Sequence, residues 1–214
     1  MIYLISDLHG GEKIAGLKDY IANYTDGDLL IILGDVGIKF VDTLENQEFT
    51  EYFLSIDKPI AFVEGNHENH EYLNSFPTEE WCGGEVNRIS KNIVRLKRGN
   101  VYKILGKTFF TMGGCKSSPK WKEMGLWHDG EEPTREELEL AYKNLKAHGN
   151  KVDYVLTHKY YPDMASDDPL TLEGLKEYID NNVDFKRWYS GHWHRETTFS
   201  DRHIVVYENL KELE

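Results

Sequence analysis

Short, uninterrupted apolar runs alternate with amphipathic stretches along most of this chain. Ile2-Tyr3-Leu4-Ile5, Leu29-Leu30-Ile31-Ile32-Leu33, Pro59-Ile60-Ala61-Phe62-Val63, Tyr154-Val155-Leu156 and the segment Phe185 to Tyr189 each read as a buried strand. A strand covered on both faces needs no polar alternation. Helical periods lie between the runs. Glu12 to Asn23 carries Ile14, Leu17 and Ile21 on one face, and Leu44 to Ile56 is expected to form a second helix. Thr134-Arg135-Glu136-Glu137 has the form of a capping box. The helix it opens gathers Leu138, Ala141, Tyr142 and Leu145 and ends near Gly149, and another follows the Asp168-Pro169 break with Leu172, Leu175 and Ile179.

The middle of the chain changes character. Val86 to Leu96 has strand-like stretches, and Val101 to Leu105, Gly106-Lys107, Thr108 to Met112 reads as a hairpin with a two-residue turn. Ile204-Val205-Val206-Tyr207 is expected to close the sheet. A βα half, a hairpin centre and a second βα half suit an α/β fold in which two sheets pack together with helices outside. At 214 residues the chain is long enough for one sizeable core and short for two. No repeat, linker or low-complexity segment divides it, so residues 1–214 are expected to form a single domain.

Polar motifs punctuate the ends of those five apolar runs: Asp7-Leu8-His9, Gly34-Asp35, Gly65-Asn66-His67-Glu68, His158 and Gly191-His192-Trp193-His194. Each alone occurs in ordinary turns. Their shared placement carries the inference, because in α/β sheets ligands and catalytic groups gather beyond the carboxyl ends of the strands. Together they supply the carboxylates of Asp7 and Asp35, the Asn66 amide, and the imidazoles of His9, His158, His192 and His194. That mix holds two transition-metal ions side by side and leaves His67 to move a proton. Two such ions clamp the attacking and leaving oxygens of an in-line displacement at phosphorus. The chain therefore reads as a hydrolase of phosphate esters. Side chains at i and i+2 of an extended segment point the same way, so Asp7 and His9 are expected to reach one ion, and His192 and His194 likewise.

This ordered set, spanning Asp7 to His194, resembles the calcineurin-like metallophosphoesterase superfamily and its pattern Asp-x-His, Gly-Asp, Gly-Asn-His-Asp/Glu, His and Gly-His-x-His. The resemblance implies a four-layer αββα sandwich of two mixed sheets flanked by helices. It implies Asp7, His9, Asp35 and His194 on one metal, and Asp35 (bridging), Asn66, His158 and His192 on the other. It also implies His67 as a non-ligand that protonates the leaving oxygen or steadies the phosphoryl group, after attack by a metal-activated hydroxide. Departures narrow the branch. The stretch Gly34-Asp35-Val36-Gly37-Ile38-Lys39 lacks the Asp-Arg of the serine/threonine phosphoprotein phosphatases, and Ile38 stands where purple acid phosphatases place a tyrosine ligand. The broad, mostly bacterial-type phosphoesterase group remains, many members of which cleave phosphodiesters. A phosphoprotein phosphatase that has shed its arginine is one alternative. A non-catalytic scaffold on the same fold is another, and the presence of His67 with a full ligand set argues against it. Glu68, adjacent to His67, is expected to point elsewhere.

Composition constrains partners and cofactors. Four imidazoles exclude an all-oxygen calcium or magnesium cage. The two cysteines, Cys82 and Cys115, have no metal-type spacing and are expected to be ordinary reduced thiols. Mixed imidazole, carboxylate and amide ligation favours manganese, iron, zinc or cobalt, with manganese foremost. The formal charge of −12, offset in part by bound dications, and the lack of a basic stripe argue against a grip on long nucleic acid. A small phosphorylated substrate or nucleotide fits better. No segment approaches the roughly 18 apolar residues of a membrane span, and the first strand leaves no room for a signal region. A cytoplasmic protein is expected; the oligomeric state is left open. Gly113 to Lys122, running on to Trp127-His128, concentrates lysines and tryptophans in a long loop of the kind that forms lids. Lys116, Lys120 and Trp121 suit phosphate holding and stacking there, and Arg195 stands beside the last ligand. The alternative is a surface loop whose tryptophans cover the hairpin. His70, His128, His148 and His203 have no matched spacing.

Overall fold

The computed structural model describes residues 1–11, 14–23, 27–160, 162 and 166–213. In chain order its first half contains β1 (Ile2–Ile5), α1 (Ala15–Asn23), β2 (Leu29–Leu33), α2 (Leu44–Leu54), β3 (Ile60–Val63), α3 (His70–Asn74), β4 (Thr78–Trp81), β5 (Gly84–Arg88) and β6 (Ile93–Leu96). The second contains β7 (Val101–Ile104), β8 (Lys107–Met112), α4 (Pro119–Glu123), α5 (Arg135–Ala147), β9 (Tyr154–Thr157), α6 (Leu172–Asn182), β10 (Arg187–Ser190), β11 (Thr197–Ser200), β12 (His203–Val205) and β13 (Lys211–Glu212).

These strands form a seven-stranded sheet in the order β13-β1-β2-β3-β6-β5-β4 and a six-stranded sheet in the order β11-β12-β10-β9-β8-β7. Both are mixed. Strands β1, β2, β3 and β6 run parallel, as do β8, β9, β10 and β12, with antiparallel strands at the flanks. Alternate residues of one strand serve different layers, as the two-residue period of a strand requires. Ile31 and Leu33 of β2 face the second sheet and meet a core that includes Phe109, Tyr154, Leu156 and Tyr189. Their neighbours Leu30 and Ile32 face outward, onto Leu17 and Tyr20 of α1 and Phe49 and Phe53 of α2. On the far side, Phe110, Val155 and Trp188 pack beneath Leu138, Ala141 and Leu145 of α5 and Leu175 and Ile179 of α6. Three buried layers separate four layers of secondary structure, so the expected α/β sandwich of two mixed sheets flanked by helices is what forms. No helix among the described residues is long and apolar enough to cross a membrane.

Several local expectations need correction. Glu12, the expected start of the first helix, lies outside the described residues, and α2 stops at Leu54 rather than Ile56. The hairpin turn is Leu105-Gly106, one residue earlier than Gly106-Lys107, since Ile104 pairs with Lys107. Leu105 and Gly106 have φ of 47° and 80°, so glycine takes the second central position, where a type I′ turn favours it. Strand β12 does not close its sheet; it lies inside, between β10 and the edge strand β11. The edge strand β4 has the sequence Thr-Glu-Glu-Trp, whose adjacent glutamates hide the strand signal, and its exposure alternates as an edge allows. The lid-like loop is interrupted by the one-turn helix α4. Other readings hold. Thr134 and Glu137 form the reciprocal capping box, and α5 ends with His148 as its C-cap.

Candidate metal centre

Each of the five central strands ends one to three residues before a candidate ligand, and the turn that follows is often left-handed. Asp7, His9, Asp35, His192 and His194 all have φ between 47° and 70°. Aspartate and histidine are among the few non-glycine residues that adopt this region with any frequency, and such strain concentrates at functional sites. The geometry corrects one expectation. Asp7 and His9 do converge, through left-handed turns rather than an extended segment. His192 and His194 do not converge at all; they turn toward different clusters. Glycine is needed where these turns cross. A Cβ on Gly65 would lie 2.8 Å from the Asp35 carboxyl carbon, and one on Gly34, at φ +88°, would lie 2.7 Å from the His158 ring. Gly65→Ala is therefore expected to displace Asp35 and lower bound metal to well below that of the parent while the chain still folds. Elemental analysis with circular dichroism checks this, and unchanged metal content would count against the close contact.

Two groups of side chains meet at the sheet edge. The ligand atoms of Asp7, His9, Asp35 and His194 all lie within 4.8 Å of one another, and so do those of Cys115, His158 and His192. In the first group, His9 Nε2 is 2.9 Å from His194 Nε2, and His194 Nε2 is 3.4 Å from Asp7 Oδ1. In the second, His158 Nε2 is 3.1 Å from Asn66 Oδ1 and 3.2 Å from His192 Nδ1. Asp35 stands between them, with Oδ2 3.7 Å from His9 Nε2 and Oδ1 3.4 Å from His158 Nε2. The supports are built in. His158 Nδ1 is 2.8 Å from the Leu33 carbonyl, to which it donates, so Nε2 is left to face the site. The amide of His192 donates to Asp7, and Ser6 Oγ donates to the same carboxylate. Glu68 does point away from His67: its carboxylate accepts the Val36 and Gly37 amides at 2.8 and 3.0 Å and so anchors the loop that carries Asp35.

Charge at the site calls for a cation. Burial would raise the Asp35 carboxyl, but the His158 imidazole beside it, with His9 and His67 beyond, holds it well below the usual carboxylate range. Burial would likewise lower His158, yet the Asp35 carboxylate pushes it up to about 9. An imidazole whose charged form is favoured in spite of full burial marks a place that attracts positive charge. Asp35 Oδ2 is buried and has no hydrogen-bond partner among the described residues. A buried acceptor in that state is costly unless something positive meets it. Imidazole, carboxylate and amide donors of this kind fit a pair of divalent transition metals.

The family model for the calcineurin-like phosphoesterases matches residues 1–196. The chain belongs to that family. Among solved structures, the protein TT1561 of Thermus thermophilus is similar at 13% identity with a TM-score of 0.52, covering 95% of this chain and 87% of that one. A second solved chain shares 13% identity at a TM-score of 0.50, over 96% of this chain and 88% of that one. At such identities the likeness concerns the fold alone. No curated protein matches the chain significantly.

In this member of the family four of the metal-ligand candidates, Asp35, Asn66, His192 and His194, form one wall of a cavity of about 550 Å³, lined also by His67, Lys116, Ser117, Trp121, Lys159 and Glu173. The His67 ring is set edge-on against Phe40 and Trp121, with centroids 5.1 Å away in each case. Its backbone amide donates to Asp35 Oδ1 at 2.8 Å. Burial lowers the His67 pKa, and the Asp35 carboxylate pulls it the other way. Of the four suggested substrate residues, Lys116 and Trp121 line the cavity. Lys120 and Arg195 are exposed and lie outside its wall, with the Lys120 ammonium 5.7 Å from the Trp121 ring centroid. Sequence reading passes over Phe40 and Lys159, and gives Ser117 and Cys115, within the lid-like stretch, no role of their own. Lys159 follows the ligand candidate His158 directly, which was a usable signal; Phe40 and Cys115 reach the site only through the fold.

Proposed function

We propose that this protein hydrolyses small phosphate esters, mono- or diesters and including nucleotides, at a centre of two divalent metal ions. The observation that carries the reading is the pair of ligand clusters meeting at Asp35, with the ring of His67 beside them on the wall of one cavity. Asp7, His9, Asp35 and His194 would hold one ion, and Asp35, Asn66, His158 and His192 the other. When bound, the two ions supply Lewis-acid polarisation of the phosphoryl oxygens and a nucleophile at neutral pH. The remaining work falls to the chain. His67 either donates a proton to the departing oxygen or hydrogen-bonds a phosphoryl oxygen, and its ring is kept facing the cavity by Phe40 and Trp121. Lys116 and Lys159 offset the charge of the bound phosphate, and the Trp121 face offers a base or aromatic ester a stacking surface. Residues 1–214 act as one domain in this reading, supported by the pairing of Tyr3 and Leu4 with Glu212 and Lys211.

The test is hydrolysis of p-nitrophenyl phosphate and bis(p-nitrophenyl) phosphate by metal-stripped protein resupplied with single metals. Activity is expected to return with manganese, iron, zinc or cobalt at about two equivalents and to stay low with magnesium or calcium. Full activity of the stripped protein, or rescue by calcium alone, would overturn the reading. The ratio of the two rates decides between monoester and diester chemistry.

A further inference from the structure

The family's ligand pattern has no thiol at the second cluster, yet one stands there. Cys115 follows β8 after Gly113-Gly114, and Gly114, at φ +81°, turns the chain inward. Three bonds fix the turn. The Gly114 amide donates to the Glu64 carbonyl at 2.7 Å, the Ser117 amide donates to Glu131 Oε1 at 2.9 Å, and Asn66 Nδ2 donates to Ser117 Oγ at 2.9 Å. Glu64 and Glu131 are themselves buried, and Glu64 is paired with Arg95 and Arg98. The result is a fully buried sulfur 3.0 Å from Asn66 Oδ1 and 3.6 Å from His192 Nδ1, in one group with His158. Those are the atoms that the proposed function assigns to the second ion. The orphaned buried oxygen of Asp35 is a separate sign that this centre is built for cations.

We infer that Cys115 is a thiolate ligand of the second metal ion, alongside Asp35, Asn66, His158 and His192. The thiol proton leaves to solvent as the sulfur–metal bond forms. The first cluster then offers only nitrogen and oxygen, whereas the second adds a soft sulfur. Soft donors favour zinc, iron or cobalt over manganese, so the two positions differ in metal preference and a mixed pair is the expected resting composition.

This inference rests on the dinuclear reading, and cobalt separates the two. Metal-stripped protein is titrated with Co(II) and followed by absorption. Visible d–d bands rising to two equivalents report the centre itself, and a near-ultraviolet sulfur-to-cobalt charge-transfer band reports the thiolate. The expected result is that the charge-transfer band is present in the parent, persists in Cys82→Ser and is lost in Cys115→Ser, which keeps its d–d bands. The chain has only two cysteines, so the parent and Cys82→Ser decide the matter even if Cys115→Ser fails to fold. X-ray absorption of the zinc-loaded parent should show a Zn–S distance of about 2.3 Å. In Cys115→Ser, zinc affinity should fall by more than the about 10- to 100-fold typical of losing a neighbour that merely orients a ligand, with manganese affinity far less affected. Two equivalents of cobalt without the charge-transfer band would overturn the ligand assignment and leave the dinuclear centre standing. A loss of zinc affinity without that band would make Cys115 a positioning residue for Asn66. Failure to bind cobalt at all would overturn both readings.

Discussion

Asparagine in place of Asp35 is expected to empty both metal positions, whereas Asp7→Asn should weaken chiefly one. The side chain of Asp35 is 1% exposed and reaches both clusters, Oδ1 toward His158 and Oδ2 toward His9. Asp7 faces ligand side chains of the first only, His9 and His194, and meets the second through the backbone amide of His192. Asparagine is the informative substitution because it keeps the shape and tolerates the left-handed backbone at φ 52°. What it removes is the charge and one of two acceptor oxygens. Losing even a residue that orients a ligand costs about 10- to 100-fold in metal affinity, and a bridging carboxylate serves two ions at once. Metal content after dialysis, measured beside turnover, distinguishes the variants. Two retained metals and near-normal turnover in Asp35→Asn would remove the bridging role.

His67→Ala should behave in the opposite way, keeping both metals and losing turnover. No described residue hydrogen-bonds to the His67 ring, which packs among Phe40, Trp121 and His9 and faces the cavity. A positioned acid of this kind contributes about 10²- to 10⁴-fold. The loss should be small for p-nitrophenyl esters, whose oxygen departs without a proton, and large for alkyl or sugar esters. A uniform loss across leaving groups would assign His67 to holding the phosphoryl group. Loss of metal together with activity would make it a ligand.

The sheets were legible because Leu29 to Leu33 and its counterparts are apolar on both faces, a pattern that only a doubly covered strand explains. The helix α5 is legible from its capping box and period, and α6 from its period alone. Edge strands other than β7 of the hairpin are not. Thr78–Trp81 and Lys211–Glu212 are half exposed and charged, so tertiary pairing, not local pattern, makes them strands. In the same way the ligand candidates were legible as motifs at strand ends, but the backbone that aims them was not. An alternation argument assumes extended φ, and it failed at His192 and His194, which sit in the left-handed region and part company. Cys115 reads as an ordinary thiol in the sequence since its neighbours Asn66 and His192 lie far away along the chain and nothing local marks it. Lys116 and Trp121 are legible through composition, which does not separate them from Lys120, a residue outside the cavity wall.

The handedness of those turns also sets what an engineer may write into the site. Asp7, His9, Asp35 and His194 all occupy left-handed backbone, so an exchange of donor type in the first cluster must also satisfy a conformation that few side chains accept. Glutamate or cysteine there would pay twice, once in reach and once in strain. Asn66, Cys115 and His158 carry no such restriction, although His192 of the same cluster does at φ 70°. Retargeting the protein toward another metal is thus a task for those three positions of the second cluster, with the first kept as the fixed half of the pair.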